Sequence, residues 1–570
     1  MKNIITKAAI AAAALMTLGS CDDFLTVDPA DKLVQDTFYT SPEKLRMNTL
    51  TLYAAKTWSN FTMNFQWKTD MLAGDMFYTY DAEGQWFFGS YTPVNQYINE
   101  GWKGLYNVIA FANSVINDMP GKCSGTVTQR DIDMAVAEAR CIRAFCYYQI
   151  AELWHDAPIV SNNTENISTG NLDIPRNTQA SIYRFALEDA DYAVANLPET
   201  DADAFRATKN TARAIRAKLL VTMASHTDYG YDRADLYKRA AADADAVIES
   251  CTWIENIDFA TLFDVEANNG PESLLAIQCA VQGYSYGNPK NCAWSRSAVI
   301  ADQTWGAGKG PTISLQQTYD NTDLRRKWTY MKNGDFYPNL AKAQGGYTYQ
   351  TISRDGTGSV VEDRNEMNAH IKKYIIGKGA DCDGNVGINQ DAANNIYLIR
   401  LSDMYLTYAE AVMGTASQTT DSKALERFNG VRKRAGVSEV ASLSYLELLA
   451  ERRREFAFES VSWFDVLRLR YREGDQVALN YVNSGYGTGY NRVAQYIAKA
   501  DIDQSQENDP SSYIIVQSRA DYGQYDPIIL SESCFTVPIP EAVSTSSPAL
   551  AGAPVDYYGG ESTPTTPNAE

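Results

Sequence analysis

The chain has 570 residues, 45% of them hydrophobic, with a formal net charge of −20 and a pI near 4.7. That length admits several domains or one large one, and the apolar content supports a substantial core. So acidic a chain repels nucleic acid, whose binding rests on Lys and Arg neutralising phosphates, and it disfavours broad contact with anionic lipid.

The first residues read as an export signal. Lys2 and Lys7 form a short basic region, and Ala8 to Leu18 is apolar but shorter than the ~20 residues a membrane-crossing helix needs. Leu18-Gly19-Ser20-Cys21 then places small residues before a cysteine, the pattern of a bacterial lipoprotein signal. The expectation is a signal peptide at 1–20, cleavage before Cys21, and a lipid on the Cys21 thiol. Residues 21–42 read as a tether, and nothing later resembles a transmembrane span. The body, 43–570, is then held at a membrane through Cys21 alone, the first residue of the mature chain.

Helical periodicity, with apolar residues at i, i+3, i+4 and i+7, predicts helices over 43–58, 102–118, 128–154, 178–196, 209–227 and 234–251. Alanine-lined faces such as Ala212, Ala214 and Ala217 predict close antiparallel packing in irregular tetratricopeptide-like pairs. Residues 60–101 interrupt the pattern, with Trp67, Phe77, Tyr78, Tyr80, Trp86, Phe87 and Phe88 interleaved with Asp, Gly and Asn. A second irregular region spans about 255–396. Helix returns over 397–413, 421–434 and 443–470, and a third irregular region covers 472–536. The tail after 540 reads as an extended surface segment. The fold class expected is mainly α: one large domain whose helical scaffold, about 43–252 and 397–470, is assembled from both ends of the chain, with long loop excursions gathered on one face.

Cysteines other than Cys21 are widely scattered, and most read as buried thiols acting as small hydrophobes. The three histidines, His155, His226 and His370, lie in no metal-binding pattern, so no metal site is expected. Gly306-Ala307-Gly308-Lys309-Gly310 lacks phosphate-loop spacing. Asp381-Cys382-Asp383-Gly384-Asn385 resembles the start of a calcium loop without its later ligands; calcium stays open, but a polar turn is the better reading, and no cofactor is otherwise expected. Glu451-Arg452-Arg453-Arg454-Glu455 reads as an intramolecular salt-bridge lattice rather than a phosphate site, each pair contributing a few tenths of a kcal/mol. No acid pair stands out for glycosidase chemistry.

Several of these segments together resemble the SusD/RagB-type outer-membrane lipoproteins of Bacteroidetes. The resemblance is carried by Leu398 to Ala411, by Phe428 to Gly436, and by Glu451 to Glu459 followed by Trp463-Phe464-Asp465-Val466-Leu467-Arg468. Cys21-Asp22-Asp23-Phe24-Leu25 resembles the mature start. Trp102 to Ile116 resembles the W-x-x-x-Y-x-x-I-x-x-A-N-x-x-I helix, Trp154-His155-Asp156-Ala157-Pro158 a helix-end turn, and Phe535-Thr536-Val537-Pro538-Ile539-Pro540 the closing L-x-P-I-P. Ser547 to Tyr557 only approximates the family's ending.

The resemblance implies an α-rich, non-catalytic body that captures a glycan outside the cell and delivers it to a TonB-dependent SusC-like transporter in the outer membrane. A peptide-binding relative of the same fold and a surface glycosidase are the alternatives. In that family the glycan site is built by loops away from the repeat-like helices. By position, Trp86 is then the expected stacking platform and Asp70 the hydroxyl acceptor. Tyr78, Phe87, Tyr284, Trp294, Trp305 and Tyr397 are further glycan-binding candidates.

Overall fold

The computed structural model describes residues 38–306, 308–351, 368–498, 509–517, 525–558 and 561–563, the last as backbone only. Cys21, the signal and most of the tether lie outside the described residues.

Helix pairs form the scaffold. Gln129–Trp154 is buried along almost its whole second half, and its start is fixed by a capping box between Thr128 and Asp131. Gln96–Asn113 packs on one side of it and Gln179–Asn196 on the other; Lys209–Ser225 and Arg233–Ser250 follow in order. Leu401–Met413 then packs against Arg233–Ser250, and Ser422–Arg434 against Leu401–Met413. Helices from the two ends of the sequence thus form one continuous stack. The main apolar core runs through it, from Tyr39 to Val537, and a small separate cluster gathers Ile376, Val386 and Ala392. Strands are short and paired in twos. The longest pair joins Ser273–Ile277 to Ile396–Arg400, antiparallel, and so ties the loop-rich middle to the scaffold.

The segments that carried the family resemblance meet in this core. The Tyr106 hydroxyl donates to the Pro158 carbonyl at 2.7 Å, the Asn113 amide donates to the Val160 carbonyl at 2.7 Å, and the Trp154 indole donates to the Pro538 carbonyl at 3.2 Å. The Val537 N–H closes the knot on the Leu153 carbonyl at 2.7 Å.

The arginine-rich block is a salt-bridge lattice, as expected, but a buried one. Arg325 meets Asp323, Glu451 and Glu455 at 2.7, 2.7 and 3.1 Å, with every one of these side chains fully buried. Arg400 joins Glu272, Glu455 and Glu459, and Arg453 reaches across the chain to Asp75 at 2.6 Å. Burial alone would raise the Glu455 carboxyl; the guanidinium groups of Arg434, Arg400 and Arg325 outweigh it and hold it far below the usual carboxylate range. Tenths of a kcal/mol per pair describe exposed helix faces, whereas here removal of one partner leaves a buried charge.

Several boundaries differ from the periodicity. Residues 43–58 hold two helices, Pro42–Thr49 and Ala55–Ser59; 397–413 opens as the strand Ile396–Arg400 before the helix Leu401–Met413; and the helix Asp475–Asn483 lies inside the expected third irregular region. Residues 443–470 form two helices, Tyr445–Phe456 and Ser462–Glu473, joined by a corner in which Phe458 and Ser460 take φ of +66° and +63°. Residues 60–101 are helical for the most part: a π-helical stretch at Asn60–Phe65, then Lys68–Ala73, Asp81–Phe88 and the start of Gln96–Asn113.

Candidate functional site

Five of the eight expected site residues are buried, three of them in the helices within 60–101. Trp86 lies in the helix Asp81–Phe88 with no exposed surface. Its ring stacks on Tyr91 with centroids 4.3 Å apart and meets Phe65 edge-on at 5.3 Å. The flanking glycines, read as freedom to expose the ring, have structural jobs. A Cβ on Gly84 would lie 2.5 Å from the Thr79 backbone, and Gly89 is the left-handed cap of the helix. Phe87 is equally buried, edge-on to Phe77 at 5.1 Å. Trp294 is packed among Trp67, Tyr374 and Phe458. The Tyr397 hydroxyl donates to the Leu262 and Ala267 carbonyls from inside the core.

Asp70 is also buried, and it serves the corner at Ser460. Its carboxylate accepts from the Ser460 N–H at 2.9 Å and the Ser460 hydroxyl at 3.0 Å, holding the strained turn between the two C-terminal helices. Burial and neighbouring Asp75 push the Asp70 carboxyl up to about 7. None of Trp86, Phe87, Trp294, Tyr397 and Asp70 presents a face to solvent, so in this structure they are core residues and not contacts for an external ligand.

Trp305 and Tyr284 stand outside, each 56% exposed, and Tyr78 is half-buried. The backbone under Trp305 is fixed although its ring is not. Its N–H donates to the Cys292 carbonyl at 3.1 Å, and the Gly306 N–H donates to the Ser295 carbonyl at 2.8 Å. The Gly306 carbonyl accepts from His370 Nε2 at 2.8 Å. A Cβ on Gly306 would fall 2.3 Å from the Trp294 backbone, so this position has room only for glycine.

The glycine-rich run that lacked phosphate-loop spacing is the second support. Gly310 and Pro311 pair with Phe77 and Met76. Gly308 packs against Tyr78 and Tyr80, whose rings lie edge-on 5.5 Å apart. Tyr80 is 59% exposed. Lys309 lies 4.5 Å over the Tyr78 ring and 3.3 Å from Glu83, which also binds Lys68 at 2.8 Å. Burial opposes ionisation of Glu83, but Lys68 and Lys309 outweigh it and draw the carboxyl down to about 2. Burial lowers Lys68 to about 8 despite Glu83.

Tyr284 sits on the loop before the helix Lys290–Trp294, whose Cys292 carbonyl anchors Trp305. Asp391 holds that loop by accepting from the Gly283 N–H at 2.6 Å. Tyr286, 40% exposed on the same loop, lies under Lys56 at 5.3 Å.

The result is a set of exposed aromatic rings, Tyr80, Tyr284, Tyr286 and Trp305, with half-buried Tyr78 beside Tyr80, on backbone held by hydrogen bonds and glycine contacts. Tyr80 and Tyr286 were not among the expected contacts. For Tyr80 the available sign was the alternation Tyr78-Thr79-Tyr80 after a short apolar run, which puts these two tyrosines on one side of an extended segment.

The Asp381 carboxylate accepts from the Ala341, Lys342 and Lys378 N–H groups at 3.1, 2.8 and 3.1 Å, which makes that stretch a capped turn. Among the described residues no cluster of His, Cys, Asp and Glu is grouped as metal ligands, and no helix is long and apolar enough to cross a membrane.

Residues 264–555 match the SusD family model, and residues 23–221 match a second model described as starch-binding, associating with the outer membrane. A SusD-like protein of Bacteroides ovatus is 32% identical over 84% of this chain and 85% of its own length. The chain belongs to the SusD family. Solved SusD-like structures share its architecture. A crystal structure with xylogluco-oligosaccharide is 26% identical, covers 91% of this chain and 100% of that one, and superposes with a TM-score of 0.78. A laminarin-binding SusD-like protein, 17% identical with a TM-score of 0.61 over 79% of this chain and 95% of its own, shares the fold alone. The SusD-family stack of helix pairs is therefore the scaffold, and the loop-borne aromatics are what this chain displays on it.

Proposed function

We propose that this SusD-family protein captures an extracellular oligosaccharide on the face formed by Tyr80, Tyr284, Tyr286 and Trp305, without chemically changing it, and delivers it to a TonB-dependent SusC-like transporter. The observation that carries the reading is the combination at Trp305: a ring more than half exposed on a backbone pinned through Cys292, Ser295 and His370. A sugar ring presents a flat C–H face to such a side chain, and a preformed platform spends little ordering entropy on binding. An aromatic face covering about 80 Å² contributes ~2 kcal/mol at 25 cal/mol per Å². A few such contacts, less the ordering costs, reach micromolar to millimolar affinity, weak enough for transfer to a transporter.

The Cys21 lipid would hold the protein on the outer membrane, facing the exterior, and the acidic body would leave anchoring to that lipid. Two sequence observations support this part, the Leu18-Gly19-Ser20-Cys21 signal and the net charge of −20. The test is retention and product analysis with xylogluco-, laminari- and malto-oligosaccharides and a peptide panel. Retention of a sugar that is recovered intact is expected. Retention of peptides alone, or cleaved sugar, would overturn the reading.

A further inference from the structure

A second cleft, of about 650 Å³, shares no lining residue with the aromatic face. One wall is the pair of turns Ile254–Asn256 and Phe259–Thr261; the other is residues 321–328. Its floor is Phe259 under the Arg434 guanidinium, 5.5 Å from the ring, and Arg434 is bolted to Glu272 and Glu455 of the buried lattice. The floor is therefore rigid. The volume lies within the ~300–1,000 Å³ of small-ligand sites.

The lining has a particular chemistry. The side chains of Asn256, Asn321 and Thr322 are exposed and make no hydrogen bond to the described residues. Lys327 has no ion pair among them and lies 5.7 Å over the half-buried Trp328 ring. Arg326 is already paired with Asp335, and the acids Glu255 and Asp258 at the rim offset Lys327, so the cleft offers no excess positive charge to an anion. Amides, a hydroxyl and a half-buried indole suit an uncharged polyhydroxyl ligand: the groups hydrogen-bond hydroxyls and the indole covers C–H surface. The cleft is linked to the aromatic face through one strand. His370 of Ala369–Ile371 holds Gly306, and Lys372 just beyond lies 5.6 Å over Trp328.

We propose that this cleft is a second, independent carbohydrate subsite, with Asn256, Asn321, Thr322 and Trp328 as its contacts. Only the class of ligand rests on the function proposed above. The test is calorimetric titration of the full chain, solubilised in detergent, with xylogluco-, laminari- and malto-oligosaccharides. In a Tyr80→Ala/Trp305→Ala background, a residual binding step is expected, and Thr322→Arg or Asn256→Arg should weaken it at least tenfold. Both positions are exposed, so folding should survive; Trp328→Ala is the confirmatory variant, read beside a melting curve. Complete loss of binding in the Tyr80→Ala/Trp305→Ala background would overturn the second subsite while leaving the aromatic face intact. Residual binding unmoved by either arginine would also overturn it. Binding of none of the probes by the wild-type chain would overturn both readings.

Discussion

The indole of Trp86 lies nearly parallel to the phenol ring of Tyr91, centroids 4.3 Å apart and planes inclined by 22°. The stack is sealed inside the protein, with Phe65 edge-on at 5.3 Å and the Asn95 side chain accepting from the indole N–H at 3.3 Å. Trp86→Ala should therefore open a cavity and cost ~3–5 kcal/mol of stability. Denaturant unfolding reads the loss directly, and glycan affinity of the folded fraction should stay at the wild-type value.

The Asp75–Arg453 pair joins the N-terminal helices to the C-terminal block, with the Ser462 hydroxyl also donating to Asp75 at 2.5 Å. Asp75→Ala leaves a guanidinium buried without its carboxylate, at a cost of ~3–5 kcal/mol. Arg454 sits at the rim, and its partner Glu451 keeps Arg325 and Arg432 when it is lost. Arg454→Ala should cost about 1 kcal/mol or less and leave ligand affinity unchanged. Equal melting temperatures for the two variants would contradict the ranking.

Burial, helped by Arg296, lowers His370 to about 3, against pulls upward from the Gly306 and Ile371 carbonyls. In the unfolded chain the same group takes a proton near pH 6.5. The folded state therefore binds fewer protons below that pH, so stability is complete above ~6.5 and is lost as pH falls towards 3. His370→Gln removes this dependence while retaining a donor for Gly306. The wild type should lose about 1 kcal/mol relative to the variant between pH 6 and pH 5. Parallel unfolding curves for the two proteins across that interval would show that His370 is not buried in its neutral form.

Gly306→Ala places a methyl group against the Trp294 backbone. The loop must shift, and Trp305 with it. Glycan affinity should fall several-fold with the rest of the fold intact, as checked by titration beside circular dichroism. Native affinity would mean that the position of Trp305 does not matter.

The scaffold was legible because long helices announce themselves: 128–154, 178–196 and 209–227 were placed within two residues of Gln129–Trp154, Gln179–Asn196 and Lys209–Ser225. The site was not, for a specific reason. Helices as short as Lys68–Ala73 and Asp81–Phe88 are too brief to show periodicity, so residues 60–101 read as loop and their aromatics as surface. The helices there exist through tertiary packing against Gln96–Asn113 and Ser462–Glu473. Asp70 shows the same limit: its partner, Ser460, is 390 residues away in sequence. Trp305 and Tyr284 read correctly as surface-borne because glycines and prolines near them do break regular structure.

The most direct test of the account is calorimetric titration of Trp305→Ala beside the wild type, with the oligosaccharide that the wild type retains best. The loss of one stacking face predicts affinity weaker by about 2 kcal/mol, roughly thirtyfold, with an unchanged melting curve because an exposed ring leaves no cavity. Wild-type affinity in Trp305→Ala, and again in Tyr80→Ala and Tyr284→Ala, would contradict the aromatic face as the place where this protein holds its glycan.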